Sequence, residues 1–361
     1  MSEISYDFTG VLKTANAVAT IGDNNTYSSS TSGIESGTPA VSTDATFLIF
    51  QLYIPIIIGI LGILGNGLVC FIFIYKRKVF TSLTSRLILN QSMIDFTSSI
   101  VFLLQRFAPN PKSSASKLWI DFVCRAWGTE FFLWSFNNAS TGNLVLISLE
   151  RFFAICHPVK HRKYFTRKRI ILGCVLVYIF SFLQMTYAPI LADETYKCYV
   201  VFKNQEAQMT FGLIQFSVTY LIPLFLMIFF YYNIWRRLQR RHGTREQGRS
   251  EDPFRRAKRN VTVTLFLVSL VFIICWSPAS ITYLLYNLGY SYDITSEMHA
   301  VFLTLVLMNM VVNPIIYSFN YKEFRRQIKY TFLKCSRNYR KTVVPHQTLI
   351  PLSTIKTQLS M

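Results

Sequence analysis

Apolar residues fall into seven long runs along this chain, each bounded by polar or charged stretches. The runs are Phe47–Tyr75, Thr84–Phe107, Ile120–Phe153, Ile170–Ala192, Ala207–Trp235, Val261–Leu288 and Glu297–Asn320. A helix needs about 20 such residues to cross the hydrocarbon core of a bilayer, and each run has the length. Glu130, Asn137, Asn138 and Asn143 interrupt the third run, which still counts as a span because the charges of its flanking loops require one. The pattern predicts an all-α membrane protein, a seven-transmembrane helix bundle. Beyond it, Phe324, Ile328 and Phe332 recur at helical spacing among lysines and arginines, which predicts a short amphipathic helix on the inner leaflet. The chain therefore divides into a polar tail over 1–46, the bundle over 47–320, the surface helix over 321–335 and a last tail over 336–361. The first tail is rich in Ser, Thr and Gly, a composition expected to stay disordered.

Composition agrees with the pattern. The sequence is 51% hydrophobic and 15% charged, against about 25% charged in an ordinary soluble domain. The net charge of +19 on its own points to nucleic acid. Its distribution points elsewhere. With the N-terminus outside, the outer face keeps Lys13, Arg106, Lys112, Lys117, Arg125, Lys197 and Lys203, and the other 30 of the 37 Lys and Arg residues fall on the cytosolic side. That asymmetry fixes the orientation of a multi-pass protein, expected in the plasma membrane, and argues against nucleic acid as a partner. The chain opens with no basic and apolar leader pattern, so the first span is expected to act as its own insertion signal. Asn24-Asn25-Thr26 is a glycosylation sequon in the outer tail.

The polar residues inside the runs are few. In the seventh, Asn313-Pro314-Ile315-Ile316-Tyr317 joins a helix-kinking proline to a buried amide. Asn309 lies one turn earlier. Asp95 lies deep in the second run, and a carboxylate there marks function by default. It is either protonated or holds a small cation with Ser140, Asn309 and Asn313 as oxygen ligands; sodium is the cation expected. At the inner end of the third run, Arg151 needs a partner, and Glu150 beside it is the obvious one. The sixth run carries Phe272 and Cys275-Trp276-Ser277-Pro278, a second proline kink beside a large aromatic. Cys124 and Cys198 lie on the oxidising outer side, where a disulfide can form. Cys335 follows the basic surface helix, a reasonable palmitoylation site.

Taken together, these residues resemble the rhodopsin-like, class A family of G-protein-coupled receptors. The resemblance covers about residues 47–335. It rests on Gly65-Asn66, the Leu-x-x-x-Asp ending at Asp95, Cys124, Glu150-Arg151-Phe152, Pro223, Tyr231, Phe272, C-W-S-P and N-P-I-I-Y. It implies an extracellular ligand, activation of a heterotrimeric G protein, and capture by a receptor kinase and arrestin. Glu150, Arg151, Tyr231, Phe272, Trp276, Pro278, Asn313, Pro314 and Tyr317 would form the switch. The resemblance implies no enzyme activity and no cofactor beyond an allosteric sodium ion.

Departures from the family pattern narrow the ligand. The retinal lysine of photoreceptors would fall near Leu307 and the amine-binding aspartate at Leu133, which leaves neither retinal nor amine chemistry. Gln105, Glu130, Trp134, Asn137, Gln215, Trp276, Tyr283 and His299 line the expected outer cleft. Acids outnumber bases on the outer loops and tail, which favours a peptide with a basic or amidated group and a peptide-receptor-like member of the family. A small non-amine or lipid ligand is the alternative. Cys124 lies 27 residues before Arg151, two more than the family norm, so the third span gains an extra outer turn or the loop bulges. Lys258 stands where some members carry an acid that pairs with Arg151, so that cross-helix lock is expected to be missing. A transporter is the rival class, but the halves show no similarity and their prolines do not pair.

Overall fold

The computed structural model describes residues 49–107, 116–193, 199–243, 253–291 and 296–331. Asn24, Cys198, Cys335 and both tails therefore lie outside the described residues. Seven helices are long and apolar enough to cross a membrane: Ile54–Tyr75, Leu83–Phe107, Lys117–Cys156, Arg167–Leu191, Gln205–Gln239, Asn260–Asn287 and Glu297–Asn320. Below they are spans one to seven. A seven-span bundle is thus the observed fold. Residues 322–331 are also helical. They dock through Phe324, fully buried against Phe73 and next to Tyr321 and Phe80 at the inner ends of the first two spans. Two short antiparallel strands, Ala192–Asp193 and Tyr199–Val200, form a hairpin in the second outer loop.

Span one packs on spans two and seven, and span three on two, four and five. In spans three and seven 61% of the most apolar stretch is buried, against 17% in span four. The first two are therefore the axis of the bundle and the last lies at its rim. The exposed apolar side chains, such as Leu64, Phe71, Leu176, Leu183 and Phe225, form the outer surface that hydrocarbon would cover.

Proline shapes three spans. Pro314 has no N–H to offer the carbonyl of Met310, four residues earlier. Asn66 supplies the missing donor: its Nδ2 reaches the Met310 oxygen at 2.7 Å and the Gly62 oxygen at 3.0 Å. Gly65 makes room for this contact. A Cβ there would sit 3.2 Å from the Pro314 ring, and one at Gly62 would overlap the Ser99 hydroxyl. The Gly65-Asn66 pair in span one and the proline of span seven are therefore one device. In span five, a π-helical turn over Ser217–Leu221 precedes Pro223 and absorbs the backbone mismatch that the proline imposes. Pro278 lies inside the span-six helix.

Span three holds the largest difference from the sequence expectation. The two extra residues between Cys124 and Arg151 do not lengthen a straight helix. The chain runs as an α-turn over Lys117–Phe122, a π-turn over Val123–Gly128, a break, and then the helix Phe131–Cys156. At the break Glu130 takes the left-handed conformation, with φ +53°. The surplus is taken up as a bulge inside the span.

The Asn66 bond predicts a test. Asn66→Leu leaves the Met310 carbonyl unsatisfied and should lower the stability of the purified chain by about 1–3 kcal/mol. Adding Pro314→Ala restores an N–H to that carbonyl and should recover part of the loss. Thermal unfolding of the two single variants and the double variant checks this; strict additivity would show that the two residues do not act on one carbonyl.

Candidate functional site

The polar residues picked out by sequence gather into three layers along the bundle axis. In the middle layer Asp95 is almost fully buried, and spans three and seven both reach it. Ser140 Oγ donates to Asp95 Oδ1 at 2.9 Å and Asn313 Nδ2 to Oδ2 at 2.7 Å. Asn309 is buried nearby, but no hydrogen bond joins it to Asp95 among the described residues. A fourth residue, Gln91, does join it. Its Nε2 lies 3.2 and 3.3 Å from the two carboxylate oxygens and also meets Ser140 Oγ. Sequence reasoning missed Gln91, though its spacing of one helical turn before Asp95 is the signal that exposes it.

The inner layer is built on Glu150. Its carboxylate takes Arg151 in a two-point clasp, Nε to Oε2 at 2.6 Å and a terminal nitrogen to Oε1 at 2.8 Å. Thr84 of span two donates to Oε2 at 3.0 Å and also meets the Arg151 guanidinium. His161, in the helix Pro158–Tyr164 that follows span three, places Nε2 2.8 Å from Oε1. The expected Glu150–Arg151 pairing is therefore present, and Thr84 and His161 are additions that no periodicity in the sequence announces. Charge and hydrogen bonds hold each other in place here, since a buried ion is tolerable only with its remaining polar capacity filled. Tyr231 and Tyr317 lie buried in the same inner half; Ser269 Oγ is 3.5 Å from the Tyr231 hydroxyl. The Tyr317 hydroxyl has no hydrogen-bond partner among the described residues. Lys258 is helical, but its side chain lies outside the described ones.

Between inner and outer layers, the Phe272 and Trp276 rings pack at a tilt of 34° with centroids 5.5 Å apart, both buried, one helical turn apart and below Pro278. The Tyr220 hydroxyl, in the π-turn of span five, bonds to Ser277 of span six.

The outer layer contains a small cavity, with room for about one water, lined by Phe102, Glu130, Leu133, Trp134, Leu303, Val306 and Leu307. Glu130 and Trp134, both expected in a ligand cleft, do line it, and the Trp134 indole donates to Glu130 Oε2 at 3.0 Å. The bulge at Glu130 is what brings that residue to the cavity wall. Gln105, Asn137 and His299 are buried nearby on spans two, three and seven. Gln215 lies apart from this cavity, bonded to Gln184 of span four at 3.3 Å, and Trp276 and Tyr283 are on span six. The cavity lies between spans two, three and seven. Leu133 and Leu307, the positions of the missing aspartate and lysine, are part of its apolar wall.

On the outer side Cys124 is buried in the π-turn. The short helix Tyr187–Leu191 packs on that turn, and Arg125 donates to the Pro189 carbonyl at 2.8 Å.

The layers define a seven-span membrane protein with buried charged residues at the bundle centre, at its inner mouth and, in Arg106 and Glu130, toward its outer end. The chain belongs to the family described as 7 transmembrane receptor (rhodopsin family), whose pattern matches residues 65–317. It is a receptor-family chain and not a member of an enzyme class. Similar proteins include the allatostatin-A receptor of Bombyx mori, 27% identical over 74% of this chain and 75% of that protein. The galanin receptor 2b of Danio rerio is 25% identical over 76% of this chain and 73% of that protein. The melanopsin of Phodopus sungorus is 26% identical over 76% of this chain, and the match spans 60% of its own length.

The bulge predicts a backbone effect separable from the carboxylate. Glu130→Gly and Glu130→Val both remove the acid, but only valine resists the left-handed conformation. Glu130→Val should be less stable than Glu130→Gly by about 1–2 kcal/mol, read as the difference in thermal unfolding midpoints. Equal midpoints would mean that the bulge relaxes when Glu130 is lost.

Proposed function

We propose that the chain is a plasma-membrane receptor, N-terminus outside, that binds a peptide at its outer end and activates a heterotrimeric G protein at its inner mouth. The observation that carries this reading is the Glu150–Arg151 clasp, closed by Thr84 and His161 at the cytosolic end of the axial span. A buried arginine tied, among the described residues, to its own neighbour and to span two is a group that can be released. On release it can meet Tyr231, the unpartnered Tyr317 hydroxyl, or a segment of the G protein. The kinks at Pro278 and Pro314 give spans six and seven a place to bend, and Trp276, above Phe272, lets an outer ligand bias that bend.

The peptide part of the reading rests on Glu130 at the cavity wall, on the excess of outer acids, and on two relatives named as allatostatin-A and galanin receptors. Leu307 and Leu133 on the cavity wall argue against a retinal Schiff base and an amine salt bridge, although melanopsins are among the relatives. Disulfide bonding of Cys124 to Cys198 is part of the proposal. Its support is that Cys124 is disulfide-bonded, and that the hairpin flanking Cys198 is tied to the helix packed on Cys124 through Val201 N–H to the Leu191 carbonyl at 3.1 Å. Glycosylation at Asn24, palmitoylation at Cys335, and phosphorylation of the tail followed by arrestin capture complete the reading.

Two outcomes test it. Membranes containing the chain should load a GTP analogue onto G proteins above the level of empty membranes, and a peptide library applied to expressing cells should yield an agonist that raises the rate further. Arg151→Ala should abolish the loading while the protein still reaches the surface, whereas Glu150→Gln should raise it without agonist. Wild-type loading by Arg151→Ala would remove the mechanism. Cys124→Ala and Cys198→Ala should each lower surface expression, and the double variant should be little worse than either, as expected of one bonded unit.

A further inference from the structure

A small hard cation needs oxygen lone pairs converging on it. At Asp95 the groups that converge are donors. The Gln91 NH2 faces both carboxylate oxygens and Ser140 Oγ, the Asn313 NH2 faces Oδ2, and the Ser140 hydroxyl donates to Oδ1. Asp95 and Ser140 are the two oxygen-bearing groups that a cation bound from span two to span three would require, and Gln91 Nε2 bridges them.

The direction of the Gln91 amide follows from a relay that ends on the backbone. Asn143 Nδ2 lies 3.1 Å from the Leu87 carbonyl oxygen, which can only accept, so that end of Asn143 is its NH2. The same nitrogen is 2.8 Å from the other end of the Gln91 amide, which must therefore be the oxygen. Gln91 is left with its NH2 toward Asp95. The remaining Asn143 oxygen accepts from Asn90 Nδ2 at 3.0 Å, so no end of the relay is idle. Gln91 and Asn143 are wholly buried and Asp95, Ser140 and Asn313 nearly so. Turning the Gln91 amide over to offer its oxygen to a cation would set its NH2 against the NH2 of Asn143. Withdrawing it would strip a donor from a carboxylate inside the bundle. The residues present do not fit a sodium ion among these oxygens.

We propose that the Gln91 amide is a built-in replacement for the cation: its NH2 fills the position between Asp95 and Ser140, and the core of this receptor is indifferent to sodium. A resting state held by an internal amide is set by the chain alone and does not follow the salt outside the cell. The inference stands on span-to-span geometry and is independent of which ligand or G protein the receptor uses.

Thermal unfolding of the purified full-length chain tests it, in sodium chloride against N-methyl-D-glucamine chloride at one ionic strength of about 0.15 M. The wild-type midpoint should be the same in both salts within about 1 °C. Gln91→Leu removes the NH2 and opens Asp95 and Ser140, and in that variant sodium should raise the midpoint by about 2 °C or more. Asp95→Asn added to Gln91→Leu should abolish the gain. A sodium-dependent rise in the wild type overturns the proposal, as does a Gln91→Leu variant as indifferent as the wild type. If Gln91→Leu yields no folded protein, Gln91→Ala replaces it, and the wild-type comparison still decides. A failure here leaves the GTP-analogue result untouched, so the two readings fall separately.

Discussion

The carboxylate of Asp95 is the point through which the bundle is held together. Hydrocarbon gives a buried acid no solvent, so every lone pair must be met from inside the protein. Spans two, three and seven each send a donor, through Gln91, Ser140 and Asn313. Three helices are thereby fixed in register by one residue. The relay from Gln91 through Asn143 to the Leu87 carbonyl and Asn90 extends that registration toward the inner mouth, along the seam between spans two and three. At the end of the same seam, Thr84 and Glu150 repeat the arrangement with an arginine in place of the amides. Spans two and three are therefore joined by polar contacts in the middle and at the inner end. Spans five and six share the Tyr220–Ser277 bond, the weak Ser269–Tyr231 contact and, at the outer end, Gln205 Nε2 to the Asn287 carbonyl at 3.5 Å.

Much of this was legible in the sequence because membrane insertion writes it there. Apolar run length follows from the bilayer acting as a solvent, and it sets the number and order of the spans. Glu150 with Arg151, and Asp95 with Ser140 and Asn313, stood out because charge and amide groups inside such runs are rare. What stayed hidden was who their further partners are. Gln91 reads as one more polar residue until its place one turn before Asp95 is noticed. Thr84 and His161 meet Glu150 across 66 and 11 residues, and only the folded arrangement of span two and the second inner loop brings them there. Side-chain direction at the outer end was less legible. Glu130 and Trp134 line the outer cavity, yet Gln215 turns to span four, because side-chain direction on a kinked span does not follow from position along it.

The bulge in span three shows how a surplus of residues becomes a feature of the site. The sequence left two outcomes open for the long Cys124–Arg151 interval. Had the surplus gone into a longer straight helix, the face carrying Trp134, Asn137 and Ser140 would have kept one phase up to Cys124. Instead the π-turn over Val123–Gly128 and the left-handed Glu130 break the phase. Cys124 thereby keeps its buried place against the outer loop, while the helix below keeps Ser140 on Asp95 and Arg151 on Glu150. Both ends of the span are pinned, one by the packed loop and one by the buried charges. The mismatch must then surface between them, at the single residue with positive φ that is not glycine among the described residues. A residue in that conformation costs of order 1–3 kcal/mol and persists only where its surroundings fix it. Here the residue so placed is an acid, and its carboxylate accepts from the Trp134 indole one turn further along the span. The geometry that relieves a counting problem along the chain thus sets an acid among the apolar and aromatic residues around a small cavity between spans two, three and seven.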